Sequence, residues 1–147
     1  MNGVDEDFLK SFEYHDKACN LNLKESCYSL GYYYSTGSDV PQDNKKALAY
    51  YVKACDLNVE DGCNYAIIMI NNDEELKKDS VKLNSLYEKG CMAGDPYKCS
   101  FLSEKYENGD GVTVDYTKAM KLTKKFCELA SDSECAKLKE LEAKAKK

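Results

Sequence analysis

The sequence predicts an all-α solenoid, in which helix pairs of 36 residues repeat along the chain. Apolar residues recur at helical spacing throughout, and the cysteines form two series in which successive members lie 36 residues apart. These series are Cys19, Cys55, Cys91, Cys127 and Cys27, Cys63, Cys99, Cys135. A fixed period of about 20–50 residues is typical of solenoids and related repeat arrays.

The repeats account for nearly the whole chain. They cover residues 1–36, 37–72, 73–108 and 109–144. We therefore expect one solenoid domain over residues 1–147, ending in a polar capping helix at about 132–147, because terminal repeats need a soluble outer face. The third repeat is the most divergent, since Asp73 replaces the glycine found at Gly37 and Gly109.

Each repeat contains the signals of two helices. In the second repeat, one apolar stripe consists of Ala47, Tyr50, Tyr51, Ala54 and Leu57. The other helix type has Cys27, Leu30, Gly31 and Tyr34 as its packing positions. Glycine at position 31 is unfavourable inside a helix by about 1 kcal/mol, so we expect a close approach of a neighbour there. The boundary residues are Asp7, Asp43, Asp79 and Asp115 as helix-capping acids and Gly37 and Gly109 as helix ends.

The cysteine pairs predict a covalent clip at each helix–helix corner. Eight residues of continuous helix advance about 12 Å, whereas a disulfide needs Cα atoms about 4.4–6.8 Å apart. The chain must therefore reverse within each pair, and the residues between agree: Asn22, Asn58, Asp95-Pro96, and Ser131 with Glu134 as a capping box. We expect the disulfides Cys19–Cys27, Cys55–Cys63, Cys91–Cys99 and Cys127–Cys135. Free buried cysteines are the alternative.

Composition narrows the function classes. A net charge of −5 and a pI near 5.0 argue against a nucleic-acid partner, and no apolar run reaches the roughly 18 residues of a membrane span. Disulfides imply an oxidising compartment. Because the N-terminus shows no signal peptide, we expect a secreted or periplasmic protein whose leader has been removed, with Met1 either native or added.

Residues 29–57 contain the motif SLGYYYSTG, followed by V-x-x-D-x-x-K-A-x-x-Y-Y-x-K-A-C-D-L. This motif resembles a Sel1-like repeat, a relative of the tetratricopeptide repeat. The cysteine-paired, 36-residue form resembles the secreted cysteine-rich proteins of Helicobacter and Campylobacter. The resemblance covers the whole chain and is closest over 37–63 and 109–135. It implies a right-handed αα-solenoid with one disulfide per repeat. It also implies two rivals to a binding module: a penicillin-binding or β-lactamase protein, and a mitochondrial intermembrane-space protein.

The residues give little support to an enzyme. None of the eleven serines has a lysine three positions later, and neither S-D-N nor K-T-G occurs. His15 is the single histidine, and no cysteine spacing suits zinc or C-x-x-C redox chemistry. The loop NGDGVTVD at 108–115 lacks the spacing of a calcium site. We therefore expect no catalytic residue, no metal and no cofactor.

Similarity to tetratricopeptide repeats implies that the first helix of each pair lines a concave groove that takes a peptide or a protein loop. Tyrosine rings and amide side chains suit this use. A host protein is one expected partner; a cell-wall peptide or a β-lactam is the alternative. The expected groove residues are Glu25, Tyr28, Tyr32, Ser35, Asp61, Asn64, Ile68, Asn71, Tyr97, Ser100, Glu104 and Glu107.

Overall fold

The fold is known from a computed structural model that describes residues 6–132 and 135–147, and all regular structure in these ranges is helical. The helices are α1 (Glu6–Asn20), α2 (Lys24–Thr36), α3 (Asn44–Asp56), α4 (Glu60–Asn71), α5 (Ser80–Met92), α6 (Pro96–Asn108), α7 (Tyr116–Leu129) and α8 (Ala136–Ala145). A short 3-10 turn, Leu76–Lys78, precedes α5. The all-α prediction is therefore confirmed.

The chain divides into two compact units, Met1–Asn72 and Asp73–Lys147. The division falls at the predicted boundary between the second and third repeats. In the first unit α2 packs on both α1 and α3, and α3 packs on α4. In the second unit α6 packs on α5 and α7, and α8 packs on α7. Helices that follow one another in sequence are therefore neighbours within each unit.

The predicted boundary residues begin and end the helices. Asp43, Asp79 and Asp115 each accept a hydrogen bond from a backbone N–H in the first turn of α3, α5 and α7, which satisfies donors that the helix leaves unpaired. Asp7 differs from its prediction, because it lies inside the first turn of α1, which begins at Glu6, and not at the capping position. Gly37 ends α2 with a φ of 70°, a left-handed conformation that glycine adopts without strain.

Disulfides close the helix–helix corners at the predicted pairs. The Cα atoms of the bonded cysteines lie 4.7, 4.6 and 4.6 Å apart in the first three corners and 5.9 Å apart in the fourth. Between the first three pairs, the chain reverses through Asn22, Asn58 and Gly94, which have φ values of 65°, 69° and 110°. The reversal inferred from the eight-residue spacing is confirmed.

The fourth corner differs from its prediction. Ser131 has a φ of 57°, so it is the reversal residue and not the extended N-cap of a capping box. Its predicted partner, Glu134, lies outside the described residues. The carboxylate of Asp132 instead accepts a hydrogen bond from the backbone N–H of Cys135 at 3.1 Å. Consequently α8 begins at Ala136, later than the expected start near residue 132.

Close packing between α2 and α3 explains the glycine inside α2. A Cβ added to Gly31 would lie 2.6 Å from Cδ1 and 2.7 Å from Cε1 of Tyr51. The Tyr51 ring, only 1% exposed, fills the space that a side chain at position 31 would occupy. The expected close approach at Gly31 is therefore confirmed, and the neighbour is an aromatic ring.

The second unit contains one buried polar side chain without a partner. Asn84 on α5 is 6% exposed, and neither its amide nitrogen nor its oxygen has a hydrogen bond within the described residues. An unsatisfied buried polar group costs about 1–3 kcal/mol. The residue 36 positions earlier, Leu48, is an ordinary core leucine at 4% exposure.

We expect Asn84→Leu to stabilise the protein by about 1–2 kcal/mol, because it removes the unsatisfied amide and adds apolar surface to the core. Urea denaturation followed by circular dichroism measures the change. The matched control, Leu48→Asn, should destabilise by about 2 kcal/mol or more. A destabilising Asn84→Leu would show that the amide has a bonding partner.

The disulfide corners should contribute directly to stability. In the chain-entropy account, opening a loop of this length lowers the free energy of unfolding by about 2.5 kcal/mol. We therefore expect the double variant Cys55→Ala/Cys63→Ala to unfold at clearly lower urea concentration than the native chain. Alanine is preferred to serine because both positions are at most 1% exposed. An unchanged midpoint would contradict the role of the clip.

Candidate functional site

The strongest candidate site lies on the first unit, on one side of α2 and α4. We call it the tyrosine face and define it as Tyr28, Tyr32, Tyr65 and Ile68. Tyr32, Tyr65 and Ile68 are 50%, 44% and 52% exposed, and Tyr28 is half-buried. Partly exposed aromatic and aliphatic side chains on adjacent helices are typical of a surface that binds another molecule.

A buried ring supports this face from below. Tyr65 stacks on Tyr51 of α3, with ring centroids 5.2 Å apart and planes at 19°. Tyr28 contacts both rings, at 5.7 Å from Tyr51 and 6.1 Å from Tyr65. The Tyr51 hydroxyl lies 3.1 Å from the hydroxyl of Ser35. Tyr28 and Tyr65 are thus held in place by packing, which lowers the entropy lost when a ligand binds.

The electrostatic surroundings of the face are acidic. Burial raises the pKa of Tyr28, and the neighbouring Tyr65, Tyr51 and Asp61 raise it further. Tyr28 is therefore a neutral phenol at physiological pH. Asp61 and Glu25 are exposed at the edges of the face, and neither forms a salt bridge with a lysine of the described chain. The face accordingly presents neutral rings next to negative charge.

The other groove positions predicted on the first unit are also at the surface. Asn64, Asn71 and Ser35 are half-buried, and the Ser35 hydroxyl is shared with Tyr51. On α6 of the second unit, Tyr97 is 79% exposed. Ser100 and Glu104, also on α6, are half-buried and exposed, respectively. Ligand binding by these residues stays a prediction.

Glu107 is the exception among the predicted groove residues. It is 7% exposed, and its carboxylate forms ion pairs with Lys137, at 2.7 Å, and with Lys144. Hydrogen bonds from these two lysines lower the pKa of Glu107 below its ordinary value. Both lysines belong to α8, so the Glu107 carboxylate links α6 to α8 and is not available to a ligand. We therefore leave it out of the candidate site.

Tyr65 was not among the predicted groove residues, although the sequence contains a signal for it. The residue 36 positions later is Phe101, which is also partly exposed, at 42%. Phe101 stacks on Tyr87 with centroids 4.3 Å apart, and Tyr87 is the repeat equivalent of Tyr51. The recurrence of an aromatic residue at positions 65 and 101, one repeat apart, could therefore have identified Tyr65 as part of a stacked pair.

Comparison with known proteins gives the family of the chain. The family model of the Sel1 repeat matches residues 1–23, 24–59 and 99–131. The chain belongs to the Sel1 repeat family. A solved structure of Helicobacter pylori cysteine rich protein B is 32% identical, with a TM-score of 0.51, over 91% of this chain and 96% of that one. The resemblance inferred from the motif is therefore confirmed.

Two further solved structures share the fold of this Sel1 repeat chain. A Sel1 repeat protein from Oxalobacter formigenes is 19% identical, with a TM-score of 0.62, over 84% of this chain. A protective antigen of uropathogenic Escherichia coli, which displays an SLR fold, is 25% identical, with a TM-score of 0.55, over 79% of this chain. The chain spans 51% and 25% of the lengths of these two proteins. Among curated proteins, none matches the chain significantly.

The Sel1 repeats bring the single histidine next to a serine, a contact that the sequence did not indicate. His15 Nδ1 lies 3.0 Å from Ser26 Oγ, and the two residues join α1 to α2. Ser26 is only 5% exposed, so an acyl donor could not reach its hydroxyl without displacing the surrounding helices. We interpret the contact as a helix-packing interaction.

The described residues contain no group of three or more His, Cys, Asp or Glu side chains arranged to hold a metal ion. Within the loop 108–115, Asp110 pairs with Lys105 at 3.4 Å, and Asp115 caps α7. Both carboxylates thus have a structural partner. No described helix has the length and apolar character needed to cross a membrane.

The docking of α8 should depend on pH through Glu107. Because its pKa is lowered in the folded state, Glu107 stabilises the fold above its ordinary pKa of about 4.5, and this contribution is lost as the pH falls through the folded value. Glu107→Gln should therefore lower the free energy of unfolding by about 1–3 kcal/mol at pH 7.

Thermal unfolding of both proteins between pH 3 and pH 7 measures this effect. The difference between the native chain and Glu107→Gln should be constant near neutrality and should shrink in acid. Glu104→Gln, an exposed change on the same helix, serves as the control and should have little effect. A difference independent of pH would contradict the ionic role of Glu107.

Proposed function

We propose that this Sel1 repeat chain is a non-catalytic binding module that holds an extended peptide or a protein loop on the tyrosine face of the first unit. The observation that carries the proposal is the group of partly exposed rings on α2 and α4, two of which, Tyr28 and Tyr65, pack on the buried Tyr51. Sel1 repeats, like tetratricopeptide repeats, are typically protein-interaction modules. The fold class and the character of the surface therefore agree.

The chemistry of the face suits a peptide. Tyr32, Tyr65 and Ile68 offer apolar contact area that is only partly hidden in the free protein. Asn64 and Asn71, on the same helix as Ile68, carry amide groups that can both donate to and accept from a peptide backbone. Rings supply contact area and amides supply directional bonds, the combination that peptide-binding surfaces use.

We further propose that the chain works outside the cytoplasm, as a secreted or periplasmic protein. Four disulfides support this location, because such bonds persist in oxidising compartments. The E. coli relative is described as a protective antigen, which is consistent with contact between such proteins and a host. A host protein is accordingly one class of partner that we propose.

The proposal is tested by selecting binders from a random-peptide library and mapping them on the isotopically labelled protein by NMR. Selected peptides should perturb Tyr28, Tyr32, Tyr65 and Ile68. The double variant Tyr32→Ala/Ile68→Ala should weaken binding about tenfold or more, because central aromatic and aliphatic contacts dominate peptide affinity.

Tyr14→Ala is the matched control, since Tyr14 is a 61% exposed tyrosine on α1 of the same unit. It should leave affinity unchanged. Both variants change exposed side chains, and circular dichroism should show that they remain folded. Peptides that map to another surface, or equal affinity for the double variant and the native chain, would contradict the proposed function.

A further inference from the structure

The net charge of the chain belongs to its first half. Residues 1–72 contain six lysines against eleven aspartates and glutamates, whereas residues 73–147 contain fifteen of each sign. The unit that carries the tyrosine face therefore has a formal charge of −5 and the other is neutral. An acidic unit attracts cationic partners and repels anionic ones.

Each unit has a stacked pair of aromatic residues at the same two repeat positions, but the surroundings of the two pairs differ. Tyr65 lies on Tyr51 in the first unit, and Phe101 lies on Tyr87 in the second. In the second unit the ammonium group of Lys105 lies 5.0 Å from the centroid of Phe101. The chain thus supplies its own cation to the ring of the second unit.

In the first unit that cation is missing. Met69 occupies the repeat position of Lys105, and the lysines that lie over rings elsewhere in the described chain contact Tyr34 and Tyr106. The Tyr65 ring is 44% exposed even though one of its faces lies on Tyr51. The two rings are exposed to a similar extent, 44% for Tyr65 and 42% for Phe101, but only Phe101 has an ammonium group of the described chain over it.

A carboxylate shares the helix face of this ring. Asp61 precedes Tyr65 by four residues on α4, so the two side chains share one helix face. The charge of Asp61 also acts on Tyr28 across the face. The ring centroids of Tyr28 and Tyr65 are 6.1 Å apart and the ring planes meet at 50°, so the two rings lie in contact next to each other. Aromatic faces next to a carboxylate are the groups that bind an ammonium or guanidinium ion.

We propose that Tyr28, Tyr65 and Asp61 form a subsite for the cationic side chain of a lysine or arginine in the bound peptide. The partner's cation takes the place at Tyr65 that Lys105 takes at Phe101. This inference rests on the proposed function and adds the chemistry of the partner: a basic peptide, attracted by the acidic first unit and positioned by one cationic side chain against the rings of Tyr28 and Tyr65.

The test uses a short Gly/Ser peptide with one central lysine as the probe. Two peptides of the same length, with N-acetyl-lysine or glutamate at the centre, are the comparisons. Tyrosine ring signals, assigned residue by residue and followed by NMR during titration, report binding. The lysine peptide should bind about fivefold more tightly than the acetylated one and should shift Tyr28 and Tyr65.

Variants separate the ring from the carboxylate. Tyr65→Leu should weaken lysine-peptide binding about fivefold, because it removes the aromatic face, whereas Tyr65→Phe should stay within about twofold. Asp61→Asn should weaken binding about threefold at low salt, and salt should reduce this difference by screening. Phe101→Leu, the equivalent change in the second unit, should leave binding unchanged.

Equal binding of the lysine and acetyl-lysine peptides would overturn the cationic subsite, as would a loss that is equal for Tyr65→Leu and Phe101→Leu. If library-selected peptides without a basic residue bind the tyrosine face as well as basic ones, the subsite is wrong and the proposed function stands. If no peptide perturbs the tyrosine face, both are wrong.

Discussion

The structure depends on a chain reversal within eight residues, which a disulfide holds at each corner. Bonded cysteines 4.6–4.7 Å apart at Cα in the first three corners bring the end of one helix against the start of the next. In the second corner, only small side chains fit beside this bond. A Cβ added to Gly62 would lie 2.8 Å from the Cβ of Ala54, across the second corner. The second corner therefore requires glycine and alanine as well as cysteine.

The third corner meets the same steric demand in a different way. Gly90 and Lys98 occupy the repeat positions of Ala54 and Gly62, so the glycine has moved to the opposite helix. A Cβ on Gly90 would lie 2.0 Å from Cδ of Lys98, which shows that the lysine stem fills the space. The Lys98 ammonium group then pairs with Asp95 at the start of α6. The second and third corners thus have the same backbone reversal, although different side chains fill the space beside the disulfide.

The tyrosine face follows from packing between helices rather than from a motif. Gly31 leaves room for the Tyr51 ring, and Tyr51 in turn supports Tyr65 and contacts Tyr28. The corresponding positions in the third and fourth repeats, Ser103 and Thr123, are joined by a hydrogen bond at 2.6 Å. At these positions the first two repeats thus have a glycine facing a large ring, whereas the third and fourth have two hydroxyl residues facing each other. Of the two arrangements, only the glycine and ring support further stacked aromatic side chains.

The predictions made from the sequence were confirmed where residues close together in the chain determine the local structure. The helix caps at Asp43, Asp79 and Asp115, the ends at Gly37 and Gly109, and the disulfide corners all follow from residues close together in sequence. The prediction was wrong at the start of α8, where Ser131 takes the left-handed conformation in place of an N-cap. One residue can serve in both kinds of turn, and the choice depends on how the following helix packs.

The sequence by itself determined the helical period, the corners, the disulfide pairs and the Sel1 repeat class, because each is encoded by spacing along one or two neighbouring helices. Only the tertiary structure decided which positions remain accessible. Tyr65 and Glu107 illustrate this: the first stacks on Tyr51 yet stays 44% exposed, and the second is covered by Lys137 and Lys144 of α8. A repeat position specifies the direction of a side chain on its own helix, whereas burial depends on the side chains that the next helix brings against it.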